Sequence, residues 1–336
     1  MKIPEILRQA AACGRTRFAF EILPPLKGEG ADPIYRSIDE LREFDPAYIN
    51  ITCHRENLKQ SVRSDGSAEI HLERRRPGTV GIAAAIERKY GISAVPHLIC
   101  AGESKYSIED QLIDMDFLGL ENLLVLRGDA LPGETGFRPA ENGWLHAVDL
   151  VRQVMAMNRG RLCGSTTATG ASGNNPSGTG ATPAAHHTSF AVGVAGYPET
   201  HAEAASPESD IAYLKDKVDA GAEYIVTQLF YDNSKFFDFT ACCRAAGIGV
   251  PIIPGIKPLT KVKQLELLPR TFACSIPAAL SSEILAHKDD ETAVRQIGTE
   301  WCTAQCRELM AAGVPVLHFF PNGHPADITP VAKALF

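Results

Sequence analysis

Several apolar runs in this sequence end in a side chain able to do chemistry. The run Phe18-Ala19-Phe20-Glu21-Ile22-Leu23-Pro24-Pro25 sets a lone carboxylate behind a hydrophobic stretch and ahead of a double proline that fixes the following loop. Apolar neighbours raise a carboxyl pKa toward the range a general acid needs near neutral pH. A solvated carboxylate at a strand end is the plainer alternative. Leu126-Arg127-Gly128-Asp129 brackets a glycine with opposite charges. The glycine lets backbone approach a ligand while Asp129 faces a positive charge; equally, Arg127 and Asp129 could simply pair with each other. Thr227-Gln228-Leu229-Phe230-Tyr231-Asp232 ends in an amide beside aromatics. Gln228 suits a heterocycle with alternating donors and acceptors, or it bonds backbone. His97, inside Val95-Pro96-His97-Leu98, reads as a core histidine. Gly196-Tyr197-Pro198-Glu199-Thr200-His201 offers an aromatic face and a second imidazole. Serine and cysteine nucleophile settings and carboxylate clusters for two metals are missing, so the inventory favours acid–base and electrostatic work on a planar, nitrogen-rich substrate, with a cofactor taking the hard step.

Elements must bring these positions together. Short β-branched or aromatic runs bounded by Pro, Gly or polar residues predict strands at Arg17–Glu21, Tyr48–Thr52, Ala94–Cys100, Asn122–Leu126, Phe190–Ala195, Tyr224–Phe230, Pro251–Pro254 and Val316–Phe320. Amphipathic stretches between them predict helices at Ile34–Phe44, Thr79–Tyr90, Ser107–Leu118, Leu145–Asn158, Asp210–Ala220, Asn233–Ala246, Leu259–Leu268 and Asp290–Ala312. Gly119, Gly221, Gly247 and Gly313 follow helices as left-handed terminators. Repeated β-then-α units with strands too apolar for a sheet wet on one face argue an α/β fold, a single closed (β/α)8 TIM barrel. A doubly wound sheet would normally carry a GxGxxG turn, which is absent. In the barrel, the residues above fall at strand C-terminal ends, where barrel enzymes do chemistry.

Composition narrows the classes. Of 336 residues, 45% are apolar and 22% charged, ordinary globular usage. The 33 Lys and Arg against 40 Asp and Glu give a net charge of −7, which offers no basic face to a phosphate backbone. Nucleic acid is therefore not an expected partner. No run approaches a membrane span or a signal-peptide core, so the chain reads as cytoplasmic with no membrane partner. The 9 cysteines are an odd number scattered through apolar segments, which fits reduced thiols. Cys302 and Cys306 share a helix face and His186 adjoins His187, but no second ligand pair stands at zinc-site spacing, so no metal is expected. Between Gly164 and Ala185 every residue is Gly, Ser, Thr, Ala, Asn or Pro. This 164–185 segment cannot offset its ordering entropy and is predicted to be a disordered insertion before strand five, hanging at the bottom face.

Taken in order, these strings resemble the methylenetetrahydrofolate reductase family from Phe18 to about Phe320. The motifs are FEIL-PP at Phe20–Pro25, PHL-C at Pro96–Cys100, LRGD at Leu126–Asp129, VAGYPETH at Val194–His201, DxxxLKxKVDAGA at Asp210–Ala222, TQLF-YD at Thr227–Asp232 and PGIxP at Pro254–Pro258. The resemblance implies a single FAD-binding catalytic domain over 1–336. It would hold FAD non-covalently and reduce 5,10-methylenetetrahydrofolate to 5-methyltetrahydrofolate with NADH or NADPH by alternating half-reactions, in one-carbon metabolism and methionine synthesis. Glu21 matches the family's general acid, Asp129 the aspartate beside flavin and pterin, and Gln228 the glutamine that bonds the pterin. For FAD the matching positions are Thr52, His97, Arg127, Gly128, Asp129, Ala195, Tyr197, His201, Asp210 and Lys217, with Arg127 and Lys217 expected at phosphate or ribose oxygens. A homo-oligomer is implied. No length is left for the regulatory domain of eukaryotic relatives, so no adenosylmethionine feedback is expected. The alternatives are a non-catalytic folate- or flavin-binding barrel and a cofactor-free barrel lyase, which would want a Schiff-base lysine or a metal cluster at the mouth.

The chain departs from the family pattern in places. Thr52 is followed by Cys53-His54-Arg55 in place of an aromatic and a glycine. Tyr213 and Asp216 replace an amide and a basic residue, Val262 stands where relatives stack a large side chain on folate and nicotinamide, and Leu317-His318-Phe319-Phe320 leads into an ending without the usual arginine.

Overall fold

The computed structural model describes residues 1–55, 57–63, 65, 67–130, 134, 136–163, 186–321 and 323–336. The predicted 164–185 insertion lies outside the described residues. Eight parallel strands close a barrel: β1 (Arg17–Ile22), β2 (Ile49–Ile51), β5 (Ala94–Ile99), β6 (Asn122–Leu126), β7 (Ala191–Gly196), β8 (Tyr224–Leu229), β9 (Ile252–Ile256) and β10 (Val316–Phe319), which returns to pair with β1. The remaining strands, β3 (Asn57–Val62) and β4 (Ala68–Glu73), form an antiparallel hairpin after β2 that the sequence reading did not anticipate.

The expected helices appear as α2 (Asp32–Leu41), α3 (Thr79–Tyr90), α4 (Lys105–Phe117), α5 (Ala147–Met157), α6 (Pro207–Asp219), α7 (Asn233–Ala245), α8 (Gln264–Phe272) and α10 (Glu291–Ala311). They cover the outside of the barrel. Gly119, Gly221, Gly247 and Gly313 all have positive φ, as expected of helix terminators. Two short helices were not foreseen, α9 (Ala278–Ala286) and α11 (Thr329–Leu335). Among the described residues, no helix is long and apolar enough to cross a membrane.

The leading helix α1 (Ile3–Ala12) closes the N-terminal end of the barrel. Its Ile3, Ile6 and Leu7 join Ala19, Tyr48, Val95, Leu124, Tyr224, Val226, Ile253 and Val316 in the core inside the strands. Asn122 at the start of β6 pins α1, accepting from the Ile3 N–H at 2.8 Å and donating to the Met1 carbonyl at 3.0 Å. Inside, Gly193 makes room for the Tyr224 ring, which a β-carbon there would overlap. Outside, Gly298 brings α10 onto the loop after β9, where a β-carbon would overlap the Leu259 carbonyl.

Candidate active site

The opposite, C-terminal end opens into a cavity of about 630 Å³. Ten of the twelve residues singled out from the sequence line it: Glu21, Thr52, His97, Arg127, Gly128, Asp129, Ala195, Tyr197, His201 and Gln228. Asp210 and Lys217 do not. They stand behind the wall as struts: Asp210 accepts from the His201 N–H at 2.8 Å, and the enclosed Lys217 ammonium donates to the Ala195 carbonyl at 2.9 Å. Burial lowers the Lys217 ammonium to about 8, with Asp210 acting in the opposite direction.

Glu21 is the last inward residue of β1, beside Asn50 of β2. It is half-buried, its open side on the cavity it lines. Enclosure in the barrel pushes its carboxyl up to about 8, against the pull of the Lys257 ammonium. Such a shift favours the protonated carboxyl at neutral pH, the form a general acid needs. Below it lies a layer of neutral polar groups. His97 accepts on Nε2 from the Asn50 amide at 3.2 Å, and its burial lowers the imidazole to about 3. His318 is fully buried, likewise lowered to about 3, and stacks on Tyr48 with ring centroids 5.7 Å apart. Both His318 ring nitrogens, the Tyr48 hydroxyl and the Asn50 carbonyl oxygen are buried without a partner among the described residues.

Gln228 owes its aim to an irregularity. The β8–β9 register shifts between Val226 and Leu229, and the Gly255 N–H turns to the Thr227 hydroxyl at 3.0 Å. Such bulges re-aim side chains next to active sites. The Gln228 carbonyl oxygen accepts from the Leu229 N–H at 2.9 Å, which leaves the amide's own N–H groups to donate. Across the mouth, Tyr197 and His201 meet edge to face at 4.6 Å. Gly128 turns with φ +81° and packs so tightly that a β-carbon would lie 2.7 Å from that of Ala101, so backbone here borders the cavity. Arg127 does not pair with Asp129. Its two terminal nitrogens take both oxygens of Glu203, at 2.5 and 2.7 Å.

The sequence reading missed Asn50, Arg55, Phe272, His318 and Phe320 as lining residues. The parity of β10, which sets Val316 and His318 inward and continues to Phe320 just past its end, was the available signal for two of them. Val262 does not line the cavity but packs in the satellite core behind it; Phe272 of the same core does reach the mouth. The cavity thus combines a proton donor, an oriented amide, aromatic faces and a glycine turn. These fit a flavin dinucleotide: a planar ring needs aromatic and backbone walls, and the buried Arg55 Nε, which has no partner among the described residues, offers a donor to an anion. Among the described residues, no group of three or more His, Cys, Asp or Glu could hold a metal.

Comparison with known proteins adds an independent line. The family model described as methylenetetrahydrofolate reductase matches residues 6–169 and 183–324. A rice protein (Oryza sativa subsp. japonica) named probable methylenetetrahydrofolate reductase (NADH) is 32% identical over 95% of this chain and 48% of its own length. The chain thus spans about half the length of the first curated relatives it matches. A Pectobacterium carotovorum protein named 5,10-methylenetetrahydrofolate reductase is 28% identical over 94% of this chain and 89% of its own. Among solved structures, a Clostridium thermocellum protein described as binding two copies of 5-methyl-5,6,7,8-tetrahydrofolic acid superposes with TM-score 0.55 and 14% identity over 98% of both chains, a likeness of fold.

Proposed function

We propose, from the premise that this chain belongs to the methylenetetrahydrofolate reductase family, that its cavity reduces 5,10-methylenetetrahydrofolate to 5-methyltetrahydrofolate with electrons from NADH or NADPH passed through bound FAD. What carries this is the place of Glu21, which lines the cavity beside aromatic and backbone walls in an enclosure that pushes its carboxyl up to about 8. Bound FAD would take a hydride from the nicotinamide and return it to the folate's one-carbon unit.

The chain's own residues supply the rest. Glu21 gives its proton to N10 of the folate, the bond from N10 to the one-carbon unit breaks, and the resulting 5-iminium cation is the hydride acceptor. Asp129 places a negative charge by that cation. Gln228 donates its amide N–H groups to the pterin. Thr52, His97, Gly128, Ala195, Tyr197 and His201 form the flavin wall, with Asp210 and Lys217 holding its backbone from behind. The neutral imidazoles beneath Glu21 add no positive charge, so its proton is not drawn off by stabilising its anion.

The lyase alternative gains little. Lys257 is a buried lysine at the mouth end, but its ammonium is tied to the Phe320 carbonyl at 3.0 Å and does not line the cavity. Two half-reactions test the proposal. Glu21→Gln should leave nicotinamide-driven bleaching of the flavin within about threefold of wild type while folate reduction falls about a thousandfold. Equal loss of both would mean Glu21 is structural, and purified protein that stays colourless after FAD is added would refute the flavin reading.

A further inference from the structure

We propose that Arg55 is the residue that takes an anionic group of the bound ligand, a phosphate or a carboxylate, at the barrel mouth; this rests on the flavin and folate reading above. The cations around the cavity lead there one by one. Arg127, which stands in the motif and was expected at a phosphate, has both terminal nitrogens on Glu203 and its guanidinium 4.9 Å from the Phe137 ring centroid. Lys217 is spent on the Ala195 carbonyl behind the wall. Arg270 stands exposed on the opposite rim.

Arg55 is held differently. One terminal nitrogen donates to the Asp129 carbonyl at 3.3 Å, a neutral acceptor that orients the side chain without cancelling its charge. No carboxylate pairs with it among the described residues. Its Nε is buried with no partner among the described residues. A buried guanidinium N–H without an acceptor is costly, and a ligand oxygen would remove that cost on binding. Nε and the free terminal nitrogen form one edge of the planar fork, the edge that matches two oxygens of a carboxylate or phosphate. The loop after β5 runs close by: Gly102, at φ +79°, lies where an added β-carbon would sit 3.8 Å from that of Arg55, in ordinary contact. Arg55 therefore bridges the β2 and β6 loops across β5.

The same chemistry has two sources, the pyrophosphate of the dinucleotide and the glutamyl carboxylates of the folate, and paired ligands separate them. Flavin-free protein, wild type and Arg55→Met, is titrated with FAD and with riboflavin, and then with 5-methyltetrahydrofolate and with 6-methyltetrahydropterin, which lacks the glutamyl group. The expected result is binding weakened roughly tenfold or more for one acidic ligand and unchanged within about twofold for its uncharged counterpart. Arg55→Lys should restore part of the loss because it keeps the charge without the fork. Loss confined to FAD places Arg55 on the pyrophosphate; loss confined to the folate places it on the glutamate. Unchanged binding of both acidic ligands, or equal loss for charged and uncharged members of a pair, overturns the proposal. A wild-type protein that binds neither FAD nor folate overturns the underlying reading instead, and the assignment of Arg55 with it.

Discussion

At the N-terminal end of the barrel, Ile3, Ile6 and Leu7 of α1 pack on Val95, Leu124, Ile253 and Val316, and a buried polar anchor, Asn122, is satisfied on both its oxygen and its nitrogen. At the C-terminal end inward residues of the barrel strands include Glu21, Asn50, His97, Gln228 and His318, and several of their polar atoms have no partner among the described residues. One closed sheet therefore carries a conventional core and an incompletely paired polar floor only a few residues apart. The difference teaches where free energy of folding is gained and where it is given up. Apolar burial at the bottom lets the top keep a protonated acid and neutral imidazoles out of water, which a smaller core could not sustain.

Experiments that act on one end and not the other break or sharpen this contrast. The largest effect is expected from pH at the top. The folate half-reaction should fall about tenfold per unit as pH rises above about 8, where Glu21 loses its proton, while flavin reduction by nicotinamide stays flat. The stability sign follows from the same group. Its carboxyl is raised from 4.5 to about 8 in the fold, so between those values the folded chain holds a proton the unfolded chain releases, and stability declines as pH rises through the window. Glu21→Gln should therefore melt higher than wild type above pH 4.5, by up to roughly 1.4 kcal/mol per pH unit until about 8, and no higher below it. Equal melting of the two proteins across the window would show that the acid is not held neutral.

A middle-sized effect is expected at the bottom. Leu7→Ala should cost about 2–5 kcal/mol in denaturant unfolding while leaving ligand dissociation constants alone. If it changed ligand affinity, the two ends would not be separable. The smallest effect belongs to the rim. Glu203→Gln breaks the fork on Arg127, yet Glu203 is about half exposed, so stability should move by less than about 1 kcal/mol, read by thermal melting.

Most of the architecture was legible because barrel strands buried on both sides are short apolar runs between sharp punctuation. Thr79–Tyr90 and Asn122–Leu126 match α3 and β6 to the residue, and other boundaries shift by a few positions where helix caps such as Ser104 and Ser206 lie outside the amphipathic pattern. The hairpin over Asn57–Val62 and Ala68–Glu73 escaped notice because its first strand, Asn-Leu-Lys-Gln-Ser-Val, lacks apolar alternation, although the second, Ala-Glu-Ile-His-Leu-Glu, alternates strictly and was a signal passed over. At the site, motif positions led to the cavity wherever a strand end fixed them, as with Glu21, Asp129 and Gln228. Asp210 and Lys217 were harder to place because a helix one layer back can share a motif with the wall it supports. Arg55 and Phe272 were invisible for a different reason: each reaches the mouth through a loop or helix end whose path no local pattern specifies.

Gly298 offers a handle on the mouth from the outer surface. With no β-carbon, it lets α10 rest directly on the Leu259 backbone, and Leu259 follows Lys257, whose ammonium acts on Glu21. A methyl group introduced there would work as a wedge, prising the helix from the loop and shifting the cation that tempers the acid. The helix seam at Gly298 thus stands one loop away from the charge that tempers the acid.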